Sequence, residues 1–233
     1  MPAQQASFRT LSKLNKEVVN CELCPRLTRY RGLIAREKRR QYMDWTYWGK
    51  PLSGFGDSKG RLLILGLAPA AHGGNRTGRM FTGDGSAQFL MAELYDFGFA
   101  SQPTSVSVKD GLELRDAYMT AIVRCPPPKN KPSLKEIQTC KRYWTEELRF
   151  LPNIRVVLAL GRVAFETYVK FLRDSGVNTK GFKFYHGALY KPPYPHAALV
   201  ASYHPSRQNT QTGRLTKPMF DAVLRKIQQL IES

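Results

Sequence analysis

The sequence is short of acidic residues and of cysteines, and it has no long apolar run. Aspartate and glutamate number 18 against 36 lysines and arginines, which gives a formal charge of +18 and a pI near 10.0. No apolar stretch approaches the roughly 20 residues of a membrane span, and the opening MPAQQASFRTL has no signal-peptide core. We therefore expect an intracellular, cytoplasmic monomer that binds no membrane and folds as one domain over residues 1–233.

The excess of positive charge indicates a polyanionic partner. Nucleic acid is the first candidate. An anionic membrane surface is the second, but it requires an anchor or a strongly basic amphipathic helix, and the lack of a long apolar run weighs against it. A surface charged only for solubility seldom needs so large a net excess.

Four short apolar runs alternate with amphipathic patterns, which is typical of an α/β fold. The runs RLLILGL, AYMTAIV, IRVVLAL and HAALVAS predict strands buried on both faces, over residues 61–67, 117–123, 154–160 and 196–202. Helices are predicted over residues 86–97, 133–151, 162–173 and 217–231. Ser133 and Glu136 form a capping box at the start of the second helix. The alternation predicts a parallel sheet covered by helices on both sides.

Three unusual loops begin where predicted strands end. The first, GLAPAAHGGNRTGRMFTGD at residues 66–84, holds five glycines and one carboxylate, and it far exceeds an ordinary connection of about 2 to 6 residues. The others are residues 124–132 and 203–216. Ligands of parallel sheets bind beyond the carboxyl ends of the strands, so the three loops should converge on one cleft. Residues 36–60 show neither the helical nor the strand periodicity, so we expect an irregular surface segment there. It would be either a variable loop or part of the cleft rim.

The four cysteines suggest a common ligand set. They occur at Cys21, Cys24, Cys125 and Cys140, with one C-x-x-C pair and two distant partners. Disulfides are disfavoured because the chain has no secretion signal. Unconnected buried thiols remain one alternative, and a four-thiolate centre is the other. Zinc and a [4Fe-4S] cluster both accept four thiolates, and the spacing does not separate them.

Taken together, the 66–84 loop, CPPPKNKP (125–132), HPSRQNTQTGR (204–214) and the four cysteines resemble the iron-sulfur branch of the uracil-DNA glycosylase superfamily, specifically its type B (family 5) enzymes. The resemblance runs from Cys21 to Arg214. It implies a three-layer α/β/α fold with a central four-stranded parallel sheet, and a structural [4Fe-4S] cluster on the four cysteines. It also implies DNA containing uracil as the partner.

The resemblance assigns the chemistry to a few residues. Asp84 would orient the attacking water or stabilise the sugar cation, although Asp is also a preferred helix N-cap. His204 would donate a hydrogen bond to the O2 atom of the departing base. Phe81 would stack on a base flipped out of the helix, and Asn130 would pair with its edge. Met80 departs from the family pattern, which has proline before the stacking aromatic.

The remaining assignments concern the base and the DNA backbone. The turn from Gly66 to Ala68, together with His72, is expected to face the base. Phosphate contacts are expected from six cations in the motifs: Arg76, Arg79, Lys129, Lys131, Arg207 and Arg214. Of these, Arg207 follows HPS, where superfamily members carry a loop that wedges into the gap left by the flipped nucleotide.

The implied function is hydrolysis of the N-glycosidic bond of uracil in DNA. The apolar stretch Ala68–Pro69–Ala70–Ala71 stands where other uracil glycosylases carry a polar residue, so we expect wider tolerance that includes hypoxanthine. Two alternatives remain. One is a noncatalytic metal-cluster module that binds nucleic acid, and the other is a nucleotide-handling enzyme, although the loop matches neither common phosphate-binding glycine motif.

Overall fold

The protein, as a computed structural model, has three layers, helices on both faces of a central sheet, and the structure describes residues 8–233. The first seven residues of the predicted domain lie outside the described residues. The helices are α1 (Leu11–Val19), α2 (Pro25–Glu37), α3 (Gly74–Thr77), α4 (Gly85–Asp96), α5 (Leu134–Arg149), α6 (Arg162–Asp174), α7 (Arg207–Gln211) and α8 (Lys217–Glu232). The strands are β1 (Phe55–Gly56), β2 (Leu62–Gly66), β3 (Ala117–Ala121), β4 (Val156–Leu160), β5 (Leu189–Tyr190) and β6 (Ala198–Ser202).

The sheet has the order β1-β3-β2-β4-β6-β5. Its four central strands are parallel, with Leu62 of β2 paired to both Ala117 and Val156, and Val156 paired to Ala198. These are the four predicted strands. The sheet nevertheless has six strands rather than four, because β1 and β5 add antiparallel edges of two residues each. Two residues cannot establish a periodicity, so the sequence pattern gave no sign of them.

The central strands are apolar throughout because each face of the sheet carries its own core. Leu63 and Leu65 of β2 belong to the core beneath α1, α5 and α6, whereas Leu62 and Ile64 belong to the core beneath α4 and α8. Alternation of side chains along a strand produces this division. Each such leucine is almost wholly buried, and full burial stabilises the fold by about 1.5 to 3 kcal/mol per side chain.

The predicted helices are present, with ends that differ by one or two residues. The capping box is confirmed: the Ser133 hydroxyl accepts from the amide of Glu136, and the Glu136 carboxylate accepts from the amide of Ser133. The helices α1, α2, α3 and α7 were not predicted. Among residues 8–233, no helix is both long and apolar enough to cross a bilayer.

The strand order places a topological switch between β2 and β4. After β2 the chain crosses to β3 on one side, and after β3 it returns to β4 on the other. Ligands of open parallel sheets bind at such a switch point, beyond the carboxyl ends of the strands. The long loop that follows β2 begins at this point.

Candidate active site

Loops from three strands meet at the carboxyl edge of the sheet and enclose two adjoining cavities. The inner cavity, of about 40 Å³, contains Phe81 and Asp84 from the loop after β2 and His204 from the loop after β6. The outer cavity, of about 390 Å³, adds Asn130 from the loop after β3 and Arg207 from α7. Both cavities share three residues: Ala70, Asp84 and Ser86. The predicted convergence of the loops is therefore confirmed.

Asp84 caps α4 and also faces both cavities. Its Oδ1 accepts a hydrogen bond of 2.9 Å from the amide of Ala87. A side chain at Gly73 would place its Cβ 2.1 Å from Oδ2 of Asp84, so only glycine leaves room for the carboxylate. Burial raises the pKa of Asp84, while amide hydrogen bonds and the charges of Arg207 and Arg76 oppose that shift. The capping and catalytic assignments are thus geometrically compatible.

Phe81 is held in a strained position by its surroundings. Its φ of +45° is rare for a bulky residue, and Met80 before it is buried in the core. A Cβ on Gly66 would lie 2.9 Å from the Phe81 ring. Gly66 therefore packs closely against the ring and leaves room for it, while the expected contact between Gly66 and the base stays a prediction. Tight packing fixes the ring here even though methionine replaces the expected proline.

His204 stacks on Phe81, with ring centroids 6.0 Å apart and an angle of 29° between the planes. Burial lowers the pKa of His204 to about 4, so the imidazole is neutral near pH 7. Across residues 8–233, neither ring nitrogen has a hydrogen-bond partner in the protein. A neutral imidazole with an uncommitted N–H is suited to donating a hydrogen bond to a ligand oxygen.

Two further predicted base contacts line the cavities. Ala68 forms part of the inner wall, next to Pro69 and Ala70. His72 lines the outer cavity, and its Nδ1 lies 3.0 Å from the hydroxyl of Tyr47. Burial and nearby arginines lower the pKa of His72, so this ring is also neutral near pH 7.

Lys129 and Asn130 form an exposed turn at the rim of the outer cavity. Both have positive φ, at +54° and +56°. Asparagine tolerates this left-handed conformation, whereas lysine rarely adopts it. The turn presents the Asn130 amide and the Lys129 ammonium at the cavity mouth rather than in the inner cavity with Phe81 and His204.

The structure corrects two of the six expected phosphate contacts. Arg76 is 3% exposed, and its guanidinium donates to the carbonyls of His72 and Gly83. Arg79 is 8% exposed and forms an ion pair of 2.7 Å with Asp110. Buried cations already committed to carbonyls and carboxylates have no free face for a phosphate. A count of cations in the glycine-rich loop could not reveal this, because burial depends on the neighbouring segments.

The other four predicted phosphate contacts are exposed. Arg207 and Lys129 line the outer cavity. A Cβ at Gly85 would lie 2.4 Å from Nε of Arg207, so the arginine packs over the start of α4. Lys131 faces a separate groove between α5 and α6, and Arg214 lies over the ring of Tyr203 outside both cavities.

Residues 36–60 contribute to the site, which settles an alternative that the sequence left open. Arg39 and Tyr42 line the outer cavity, and Tyr47 contacts His72. The rings of Tyr42 and Trp45 lie 3.9 and 4.0 Å from the guanidinium carbon of Arg76. The mixture of cations and aromatics in this segment was the sequence feature that indicated a place at the cleft rim. It did not indicate which residue each aromatic ring contacts.

The four cysteines lie close enough to act on one another electrostatically, and none of them forms a disulfide. Cys21 and Cys24 pack against the core that contains Cys125 and Cys140. Burial raises the pKa of Cys125 to about 11, although the Arg31 guanidinium, which donates to its Sγ at 3.2 Å, opposes the shift. In the described part of the chain, no three or more histidine, cysteine or acidic side chains converge on the position of one metal ion.

Comparison with known proteins identifies the family of this chain. A model of the uracil DNA glycosylase superfamily matches residues 53–228. A type-5 uracil-DNA glycosylase of Thermus thermophilus is 50% identical over 212 residues, covering 90% of this chain and 93% of the relative. One from Pyrobaculum aerophilum is 46% identical, covering 90% and 88%. One from Mycobacterium tuberculosis is 43% identical, covering 95% and 82%. The chain belongs to the uracil-DNA glycosylase superfamily.

Proposed function

We propose that this protein hydrolyses the N-glycosidic bond between uracil and deoxyribose in DNA. The proposal is supported chiefly by one observation: Asp84 and His204 line the same small cavity, beside an aromatic ring. Superfamily membership and the net charge of +18 also support it. The bond is inaccessible inside a stacked duplex, so the uracil must leave the helix to reach these groups.

The two groups act at opposite ends of the breaking bond. As the bond from C1′ to the base breaks, its electron pair moves onto the base and positive charge develops on the sugar. The Asp84 carboxylate stabilises this cation, orients the water that adds to C1′ and takes up the proton that this water releases. The neutral imidazole of His204 donates to O2 of the base, where negative charge accumulates. The product base leaves as an anion held by this hydrogen bond.

The cavity volumes bear on how the nucleotide is held. An inner cavity of about 40 Å³ is far below the roughly 300 to 1,000 Å³ of ordinary ligand pockets. The flipped nucleotide would therefore extend through the outer cavity, with its base edge toward Asn130. The inner wall of Ala68, Pro69 and Ala70 offers no polar side chain that discriminates between bases. Hypoxanthine should accordingly be accepted as well as uracil.

A labelled duplex with one U·G pair tests the activity. The purified protein is incubated with it, abasic sites are converted to breaks by alkali, and scission is measured. A duplex with hypoxanthine and a single strand with uracil are run beside it. Scission at uracil supports the proposal. DNA binding without scission at either base would favour a noncatalytic nucleic-acid-binding module instead.

Arg207 and Lys129 are proposed to contact phosphates, which predicts a change in salt dependence. Replacing either with glutamine should reduce the slope of log affinity against log salt concentration by about one, because one fewer counterion is released. Binding titrations of the U·G duplex at several salt concentrations measure the slope. Arg225→Gln, on α8 and paired with Asp221, is the control and should keep the parental slope. Unchanged slopes in both test variants would contradict the assignment.

We also propose that Cys21, Cys24, Cys125 and Cys140 hold a [4Fe-4S] cluster. The donor set fits: four free thiols share one region, and the buried Arg31 donates to a cysteine sulfur, as such sulfurs commonly accept. A zinc ion would draw all four sulfurs to about 2.3 Å from one point. A [4Fe-4S] cluster instead binds each sulfur to a different iron, so the two groups differ in how closely the four sulfurs must approach one another. The cluster would tie the N-terminal helices to α5 as a structural group.

Substitution of one ligand tests the cluster. Cys140→Ser should lose the broad visible absorbance expected of the parent, and its thermal unfolding temperature should fall because Cys140 lies in the core. Iron and sulfide are assayed on protein purified without oxygen. Thr139→Ser, at the neighbouring position of α5, is the control and should retain the absorbance. A colourless parent that contains zinc would contradict the proposal.

A further inference from the structure

Arg76 occupies an unusual position for a buried cation. Its guanidinium lies between two aromatic rings, 3.9 Å from the centre of Tyr42 and 4.0 Å from that of Trp45. Its Nε donates to the carbonyl of His72 at 2.9 Å, and its Nη2 to that of Gly83 at 2.8 Å. Its Nη1 is buried and has no partner among the described residues. The side chain thus ties together both ends of the 72–83 loop and the segment that carries the rings.

The contacts of Arg76 end beside Asp84. Gly83, which accepts from Nη2, immediately precedes Asp84 in the chain. A Cβ at Gly83 would lie 2.4 Å from Nη2, so a larger residue there would displace the guanidinium. The positive charge of Arg76 is also close enough to lower the pKa of Asp84 against the effect of burial. Any shift of Arg76 would therefore move both the backbone and the electrostatic surroundings of the carboxylate.

We propose that Arg76 is a positioning residue for Asp84: it fixes the loop that carries this carboxylate and holds a positive charge beside it, while Tyr42 and Trp45 hold Arg76 in place. The proposal rests on the proposed function for its catalytic meaning. The effect of Arg76 on the pKa of the Asp84 carboxylate does not depend on that function and can be measured in the protein without DNA. It also gives Tyr42 and Trp45 a role in the site that does not depend on their touching DNA.

Other charged or titratable groups face Asp84 from every side and must be considered. They come from α2, the segment after α2, the loop after β2, the loop after β3, α7 and the loop after β6: Tyr30, Arg39, Tyr42, His72, Lys129, Arg207 and His204. The two histidines are neutral near pH 7 because their pKa values are lowered. The charge of Arg207 lowers the pKa of Asp84 more than that of Arg76 does, but Arg207 is exposed and approaches from α7. Arg76 differs in being buried and in bonding to the backbone next to Asp84.

The test compares Arg76→Met with Arg76→Lys. Without the charge, the pKa of Asp84 should rise, and the pH below which the single-turnover rate declines should move upward with it. The lysine variant should decline in rate at the same acidic pH as the parent, because it keeps the charge. Its maximal rate should stay below that of the parent, because it loses the paired hydrogen bonds. A carboxyl-carbon NMR titration of Asp84 in the free protein measures the pKa without any substrate.

Arg79→Met is the matched control, since Arg79 is buried in the same loop but pairs with Asp110. The Arg79→Met variant should have a lower unfolding temperature than the parent and the same pKa at Asp84. A double replacement of Tyr42 and Trp45 by leucine should reproduce part of the rise in the Asp84 pKa that is expected of Arg76→Met. This double variant provides the test if Arg76→Met fails to fold. An unmoved Asp84 titration in the Arg76 and aromatic variants would overturn the inference. A parent that titrates as expected but cleaves nothing would overturn the proposed function alone.

Discussion

Asp84→Asn should lower the single-turnover rate of uracil release by about 10²- to 10⁴-fold while leaving the folded protein at least as stable as the parent. The rate falls because an amide can neither stabilise a sugar cation by charge nor take up a proton from water. Stability is retained because Asn is as good a helix N-cap as Asp and can still accept from the amide of Ala87. Quenched-flow cleavage and thermal unfolding measure the two effects separately.

Asp84→Ala separates the catalytic role from the capping role. It should show a similar loss of rate, and it should also lose about 0.5 to 2 kcal/mol of stability because the cap is removed. If Asp84 served only as a cap, the asparagine variant would cleave uracil as fast as the parent. That result would remove Asp84 from the mechanism and leave His204 as the principal catalytic group.

The pH dependence of the Asp84 variants follows from the direction of its pKa shift. Burial raises the pKa of Asp84 in the folded protein above its ordinary value of 3.8. The protonated side chain therefore contributes stability that is present below that ordinary value and is lost as pH rises through the raised pKa. Where the carboxylate is ionised, its burial lowers the stability of the folded protein, so neutral asparagine removes a cost. Activity runs the other way, because it requires the ionised form and declines as pH falls through the same pKa.

The central fold was predictable because burial on both faces leaves a strong signal in the sequence. The runs that became β2, β3, β4 and β6 are apolar at nearly every position, and alternation with helical patterns predicts their parallel arrangement. The short helix α3 and the two edge strands have too few residues for any period to emerge. These short elements are stabilised by tertiary contacts. Local sequence patterns do not indicate such contacts.

The sequence predicts the position of a site residue when its loop follows a strand end. It does not predict whether a side chain is buried when that depends on how neighbouring loops pack. Asp84 and His204 follow β2 and β6, so the sheet brings them together. Arg76 and Arg79 stand in the same loop as Asp84, yet the structure buries both against carbonyls or a carboxylate. Their partners come from loops whose mutual placement no local pattern describes. The sequence therefore predicted that the loops converge, but its assignment of Arg76 and Arg79 to the DNA surface does not agree with their burial.

The second large effect is expected at His204. His204→Ala should slow uracil release by about 10²- to 10³-fold, since it removes a donor aimed at the oxygen where negative charge develops. His204→Gln should recover part of that loss because its amide retains an N–H donor. His196→Gln, near the amino edge of the sheet and away from both cavities, should cleave at the parental rate.

The pH profile distinguishes a neutral His204 from a protonated one. Its pKa of about 4 predicts no change in rate near pH 6.5, where an ordinary histidine titrates. The same shift predicts that the stability contributed by neutral His204 is present above pH 6.5 and is lost as pH falls toward 4, because the unfolded chain takes up a proton there first. His204→Gln should therefore be less sensitive to acid unfolding than the parent. A rate that falls as pH rises through 6.5, with the fall abolished in His204→Gln, would instead mean that the imidazolium is the active form, with the leaving base stabilised by a full charge.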